Sequence, residues 1–589
     1  MNKNIDRTQI VAAARGDVPM DLVIREVNLV NVFTAEIYVA DIGIKEDRFA
    51  AIARYEDGKP QFYIEGERAV SAKGSYAMPG FIDAHVHIES TMMAPDMFAR
   101  AVLRHGTTVA VIDPHEIANV MGAEGVKQIV KASQNLPVRV LTTIPSCVPA
   151  VQGIETAGAE FLADDIAELL DLPDVVGIAE LMDYTGVIKQ DQRMADIVHT
   201  GLEHQVLNEG HAPRVTGRDL HAYLAAGVHS EHESRGTAEI VEKLRAGMNI
   251  YIRESSVSKF ADIAAQALQQ LPHASNVQMC TDDIAPHDII KNGQMNRVIR
   301  RCIEEGIPAA LAIRYATLNG AMRFGLRDVG AIAAGYLADL VLVDSLETME
   351  VTDVYVKGEQ VVADGQVTKE IVSPTPLQLP NTVRIPELVE EDFMIKAPIE
   401  NGKATIHTVE VTKIGITTLD TVEVDVVDGK VSKLPEDCIF ISVTGRHGQN
   451  RKPFVAVMKN AGLREGAYAT TMAHDSHNLV VAGKNPSDML AAAEQIKASG
   501  GGLCLVKDGN TVATVELPLA GLMAPEPIEE LAPKVENFAQ KALEMGVKVG
   551  RRSPVMAFSS ISLTVIPEVR VSDLGLVDVN KQEFISLFV

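Results

Sequence analysis

The pair His85 and His87, separated by one valine, is the first chemical signal in this chain. Neutral imidazole is the commonest protein ligand for a divalent transition metal, and two of them at i and i+2 on an extended strand point the same way, close enough to share one ion. The stretch Met78-Pro-Gly-Phe-Ile-Asp-Ala-His-Val-His-Ile-Glu-Ser90 supplies that strand. Read with period two, it places Ile82, Ala84 and Val86 on one face and Asp83, His85 and His87 on the other, with Glu89 joining the histidines if the strand runs on. A half-buried strand with two surface histidines has the same pattern, so the context has to decide.

That context is rich in acids and imidazoles. Asp113-Pro-His115-Glu116 follows the apolar run before it, Glu180 with Asp183 beyond it ends another, and further runs lead into Glu209-Gly-His211, into His229, Glu231, His232 and Glu233, and into Thr281-Asp282-Asp283. The runs themselves are eight strand candidates, at 81–88, 107–113, 138–143, 175–180, 206–208, 227–230, 249–253 and 277–281. Helical patterns separate several of them, as at 166–170, 219–226 and 261–271. Alternating strand and helix predicts a parallel sheet, and eight such units predict a (β/α)8 barrel. Catalytic groups of that fold gather at the C-terminal strand ends, so the acids and imidazoles are expected at one mouth, as a site for one or two divalent ions with mixed nitrogen and oxygen ligands. Helix capping and solvated loop ends account for Asp183, Glu231 and His229 taken singly, but not for the set.

Around the barrel, residues 21–76 read as a β-meander, and strand texture returns at 329–370. The expectation is one small composite β-domain, 1–77 and 329–372, interrupted by a barrel at 78–328. Prolines at 374, 376, 380 and 386 mark a linker to an additional C-terminal α+β domain, 376–589, with strands at 404–411, 421–427 and 440–443, a helix at 486–498 and a tight loop at Gly500-Gly-Gly502. A chain of 589 residues has room for these units. Its net charge of −25 repels phosphate backbones and anionic membrane surfaces, so neither a nucleic-acid polymer nor a membrane is expected as partner. The N-terminal residues lack the apolar core of a secretory signal and no uncharged run is long enough to span a bilayer, which predicts a cytoplasmic protein. Five scattered cysteines without a Cys-x-x-Cys argue against a disulfide framework or a zinc knuckle.

Pro79-Gly-Phe-Ile-Asp-Ala-His-Val-His87, Asp282 and Gly330-Ala-Ile-Ala-Ala-Gly-Tyr-Leu-Ala-Asp-Leu-Val resemble the amidohydrolase superfamily over residues 21 to about 365. His87-Ile-Glu-Ser-Thr-Met-Met, Asp113-Pro-His-Glu-Ile-Ala-Asn-Val-Met-Gly, Ser146-Cys-Val-Pro-Ala, Ala179-Glu-Leu-Met-Asp-Tyr, Cys280-Thr-Asp-Asp and His474-Asp-Ser-His-Asn478 resemble, more narrowly, the bacterial adenine deaminase family over nearly the full length. That resemblance implies hydrolysis of adenine to hypoxanthine and ammonia in purine salvage, at a binuclear centre of Mn²⁺ or Fe²⁺, with Zn²⁺ also compatible. The implied metal ligands are His85, His87, Glu180, His211, His232 and Asp282. Many superfamily relatives bridge their metals with a carboxylated lysine where this chain has Glu180. Asp282 is the implied proton carrier, Glu180 and Glu89 are alternative donors of the ring proton, and Asp283 and Glu89 are expected to bind the base. A homo-oligomer is expected. The motif His474-Asp-Ser-His477 with Arg446 fits either a loop capping the barrel mouth or a hydrogen-bond knot inside its own domain. Two other readings are a different amidohydrolase chemistry, such as cyclic amide hydrolysis or deacetylation, and a non-catalytic scaffold.

Overall fold

A computed structural model describes residues 6–412, 417–549 and 553–589; the ends of the predicted first segment (1–5) and parts of the predicted last one (413–416 and 550–552) lie outside the described residues. Its centre is a closed ring of parallel strands: β1 (Phe81–Val86), β2 (Thr107–Ile112), β3 (Arg139–Ile144), β4 (Val175–Leu181), β5 (Leu207–Gly210), β6 (Ser230–Glu231), β7 (Asn249–Arg253) and β8 (Val277–Cys280). Strands β1 to β5 pair in order, as do β6 to β8. The ring closes where Asp282 N–H donates to the His85 carbonyl at 2.9 Å and Gly210 N–H donates to Ser230 Oγ at 2.8 Å. The chain therefore folds as a (β/α)8 barrel, with an outer helix after each strand.

The strands are almost continuously apolar because both their faces are covered, and the helices show the matching stripe. Thr237–Arg245 buries Ile240, Val241 and Leu244 against the barrel, and each such aliphatic side chain contributes about 1.5–3 kcal/mol on burial. Strands β5 and β6 begin later than their apolar letters predict. Gly227 stops helix Gly217–Ala226 in the left-handed region at φ 110°, so the chain becomes extended only at Ser230.

Both flanks of the barrel enter one sheet. Met20–Asn31 pairs with Glu36–Lys45, Gly66–Ser71 and Tyr76–Pro79, and Leu340–Val343 pairs antiparallel with Tyr76–Pro79. Leu22, Ile24, Ile42, Ile44, Phe49, Leu340 and Tyr355 form its core. Because Tyr76–Pro79 runs directly into β1, this sheet fixes where the first barrel strand starts.

The C-terminal part is α+β: a nine-stranded sheet with helix Pro486–Ser499 packed on it through Met489, Ala492, Ala493 and Ile496. It is joined to the barrel by a shared apolar layer in which Met92, Met93 and Phe98 meet Leu522, Met523, Ala524 and Ile528. Ala524 N–H donates to the Met92 carbonyl at 2.8 Å, so the segment following β1 is held directly by this domain. Among the described residues no helix is long and apolar enough to cross a membrane, and all five cysteines are buried and free.

Candidate functional site

The first strand ends irregularly. Its pairing with β2 slips between Asp83 and Val86, and the strict alternation breaks there. Ile82 and Ala84 pack with Val109, Val111, Leu141, Tyr251 and Cys280, while Asp83 turns away from the two histidines. Its carboxylate accepts from the Thr281 backbone N–H at 3.0 Å, from Thr281 Oγ1 at 2.5 Å and from Gln294 Nε2 at 2.5 Å. The expectation that Asp83 shares a face with His85 and His87 is thus corrected; it ties β1 to β8 instead. Nor does the strand run on to Glu89, which opens the 3-10 turn Glu89–Thr91 and accepts from Ile117 N–H at 3.1 Å.

His85 and His87 themselves meet the acids of distant strands. His87 Nε2 lies 3.6 Å from Glu180 Oε1 and 3.5 Å from Asp282 Oδ1; His85 Nε2 lies 3.9 Å and 4.0 Å from the same two carboxylates. From the far side His211 Nδ1 approaches Glu180 Oε2 at 2.6 Å, and His232 Nε2 stands 3.2 Å from that oxygen and 3.5 Å from Asp282 Oδ2. Glu180 is the hub, reached by every one of the four imidazoles. Burial opposes its charge, but His211 and His232 hold the carboxyl well below its ordinary range.

The donors fit a divalent cation. Among the described residues the Nε2 atoms of His85 and His232, though they face carboxylates, form no hydrogen bond in their buried places, a costly state for polar atoms in a core. His85, His87 and Asp282 place donor atoms within 4.8 Å of one another, and so do His85, Glu180 and His232. A metal-binding cluster of imidazole nitrogen and carboxylate oxygen is therefore present.

Supports surround the ligands. Lys243, fully buried, donates to the Ala212 carbonyl at 2.8 Å and to Glu239 Oε1 at 2.6 Å, and lies 3.6 Å from Glu231 Oε1. Glu231 in turn accepts from the N–H groups of Ala212 and Glu233, both at 2.6 Å, which fixes the neighbours of His211 and His232. Glu231 is structural, as capping predicts, and so are Asp183, which caps helix Tyr184–Lys189, and the exposed His229.

Three groups outside the implied ligand set stand beside it, and of these the sequence reading had not named Arg253. Arg253, at the end of β7, is buried with Nη1 2.6 Å from Asp282 Oδ2 and Nη2 3.1 Å from Asp283 Oδ2, and it also pairs with Glu233. Burial pushes Asp282 up to about 6, with Arg253 pulling against it and Asp283 adding to it. His115 reaches Glu180 Oε1 at 3.6 Å through Nδ1, which also contacts Asp113 Oδ2 at 3.1 Å. The sequence carried a signal for His115, since Asp113-Pro-His115-Glu116 stands at a strand end; Arg253 gave none, being one cation among many.

The third group comes from the C-terminal domain. The 471–478 loop joins strands Ala467–Thr470 and Leu479–Gly483 and is buried over the barrel mouth. His474 Nδ1 lies 3.2 Å from Glu116 Oε1, and Asp475 Oδ1 lies 3.5 Å from His115 Nε2. Ser476 Oγ donates to Glu155 Oε2 at 2.9 Å. The loop both caps the mouth and is knotted by hydrogen bonds, with partners on the barrel at Glu155 and Thr156 and in its own domain at Arg446, Gly521 and Ser562.

Comparison with known proteins gives two family matches. Residues 76–361 match the amidohydrolase family, and residues 415–583 match the adenine deaminase C-terminal domain. The chain is 39% identical over 582 residues to the adenine deaminase of Desulfatibacillum aliphaticivorans, covering 98% of this chain and 99% of that one. It is 39% identical to the adenine deaminase of Klebsiella pneumoniae strain 342 (98% and 95% covered) and 36% identical to that of Clostridium acetobutylicum (98% and 99% covered).

Proposed function

The chain belongs to the adenine deaminase family, and from that premise we propose that it hydrolyses adenine to hypoxanthine and ammonia at the barrel mouth. One observation carries the reading to specific residues: the inward convergence of His85, His87, Glu180, His211, His232 and Asp282, with buried imidazole nitrogens that form no hydrogen bond among the described residues. These six would hold two divalent cations, with Glu180 between them. Cations bound there supply Lewis acidity and a water reactive at neutral pH. Imidazole with hard oxygen suits Mn²⁺ or Fe²⁺, and Zn²⁺ as well.

The protein's own groups must then move protons. Water adds at C6 of the base, a ring nitrogen gains a proton, and the amine leaves as ammonia once it too is protonated. Asp282, buried at the end of β8 with Arg253 2.6 Å away, is the carboxylate placed to accept a proton from water and pass it to the amine. Of the two candidates for the ring proton, Glu180 stands among the four imidazoles of the implied ligand set, which favours a bridging role. Glu89 has its pKa raised by burial, which favours a carboxyl that carries a proton. Asp283, paired with Arg253 and Ser90 and not spent on capping a turn, is free to bind the base. The same proposal assigns catalysis to 78–328, the composite β-domain to 1–77 with 329–372, and the cover of the mouth to 376–589.

The test is ammonia release from a panel of purines and cyclic amides by protein loaded with Mn²⁺, Fe²⁺ or Zn²⁺, with bound metal counted. Adenine is expected to be the turned-over substrate at about two metals per chain. Release from a cyclic amide with none from adenine would replace this reading.

A further inference from the structure

We propose that the 471–478 loop forms the second wall of the substrate site, and that His474 is a specificity-determining residue which, together with Asp283, reads the N3 and N9 edge of an unsubstituted purine base, the edge that carries its ring N–H. The proposal rests on the adenine reading above and deepens it.

His474 is buried, and its two ring nitrogens are in different states. Glu116 Oε1 faces Nδ1 at 3.2 Å, which fixes the ring, while Nε2 is buried with no hydrogen-bond partner among the described residues. Nε2 points toward Asp283, but the gap to Oδ1 is 3.9 Å, too long for a direct hydrogen bond. Asp283 is itself anchored, Oδ2 by Arg253 at 3.1 Å and Oδ1 by Ser90 Oγ, which donates at 2.7 Å. Ser90 Oγ also lies 3.0 Å from Glu116 Oε1, so Glu116, Ser90, Asp283 and His474 form one braced wall. Four chain segments contribute to it, and the C-terminal domain supplies only His474.

The chemistry of adenine says what such a wall can read. Its N–H groups are the 6-amino group and one ring N–H in the imidazole ring. The amino group has to face the proton carriers beside the metal ligands, because it departs there. The donor left for a carboxylate next in sequence to Asp282 is the imidazole-ring N–H. With the proton on N9, N3 of the six-membered ring, one carbon away on the same edge, carries a lone pair, and His474 Nε2 is the partner placed to meet it. An acceptor and an imidazole nitrogen separated by 3.9 Å suit such a donor–acceptor pair on one edge. A substituent on that edge would remove the donor and leave buried polar groups unpaired, which discriminates far more strongly than a lost apolar contact. The wall therefore selects a free base over one alkylated or glycosylated on the imidazole ring.

The experiment compares the Mn²⁺-loaded full-length protein with His474→Ala and His474→Gln. It measures KM and kcat for adenine, 7-methyladenine and 9-methyladenine, the inhibition constant of hypoxanthine, and bound metal. His474→Ala is expected to raise KM for adenine and the hypoxanthine constant by about 10-fold, a lost buried hydrogen bond, with metal at the parent level and kcat less affected. The preference for adenine over the methylated bases should narrow, and Gln should recover part of the loss. Unchanged KM and hypoxanthine affinity in His474→Ala would overturn the proposal, as would a fall in kcat that tracks lost metal. If His474→Ala fails to fold, hypoxanthine affinity in His474→Gln decides. A parent enzyme that turns over no purine would instead defeat the adenine reading, which separates the two failures.

Discussion

Two buried polar clusters meet at the barrel mouth, and they are built by opposite means. The cluster around Glu180 is assembled from the ends of β1, β4, β5, β6 and β8, where the register of a closed parallel barrel sets each side chain's position. The cluster around Glu116, Asp283 and His474 is assembled across a domain boundary, from turns that depend on Met92, Met93 and Met523 packing together. The first has more imidazole nitrogens than internal partners and calls for cations. The second satisfies most of its atoms by hydrogen bonds and leaves His474 Nε2 aimed at the gap. On the proposed reading one end serves reaction and the other recognition, and changes in each should fail differently.

The largest effect is expected in the strand-end cluster. His85→Ala or His87→Ala should abolish turnover and lower bound metal together, as elemental analysis beside an ammonia assay would show. Full metal occupancy with normal activity in either variant would remove the reaction from this strand. Next comes the division between the two glutamates. Glu180→Gln keeps size but loses charge, and should cost at least ~100-fold in rate along with metal, whereas Glu89→Gln should cost a similar factor with metals retained. A near-normal rate in Glu180→Gln would defeat both of its candidate roles and leave Glu89 as the carboxylate to pursue.

A smaller effect is expected one layer out. Lys243→Met leaves Glu231 unbraced beneath His211 and His232, and should weaken metal affinity ~10-fold, read by chelator competition. Unchanged affinity would mean that the strands alone hold these ligands.

The smallest effect belongs to the domain seam. Burial, with Asp475 adding to it, pushes Glu155 up to about 7 from an ordinary 4.5. A carboxyl whose folded pKa is raised contributes stability in full below its unfolded value and loses it as pH rises through about 7. The melting temperature should therefore fall between pH 5 and pH 8 by more than in Glu155→Gln, which stays neutral. Parallel melting curves for the two proteins would show that Glu155 does not titrate in this range.

The sequence by itself determined the barrel and the residues of its reactive end. Period-two and period-3.6 patterns are local, and a chain that alternates them eight times has few ways to bury both; once strands are parallel, their C-terminal ends share one mouth. That is why the strand-end acids and imidazoles could be expected at one mouth, whereas the choice of His85, His87, Glu180, His211, His232 and Asp282 among them came from the family resemblance. Tertiary structure decided what depends on contacts between residues far apart in the chain. The register slip that turns Asp83 toward Thr281 is a relation between β1 and β2, invisible in either strand alone. Arg253 becomes part of the site only because β7 lies beside β8 and sets its guanidinium against Asp282 and Asp283. His474 belongs to the mouth only because an apolar layer about 430 residues downstream of Met93 docks on it, as the bridge from Met93 to Ala524 shows. Side-chain periodicity reports which face of an element is buried; it carries no information about which distant element will cover that face, and the recognition end of this site is made of such covers.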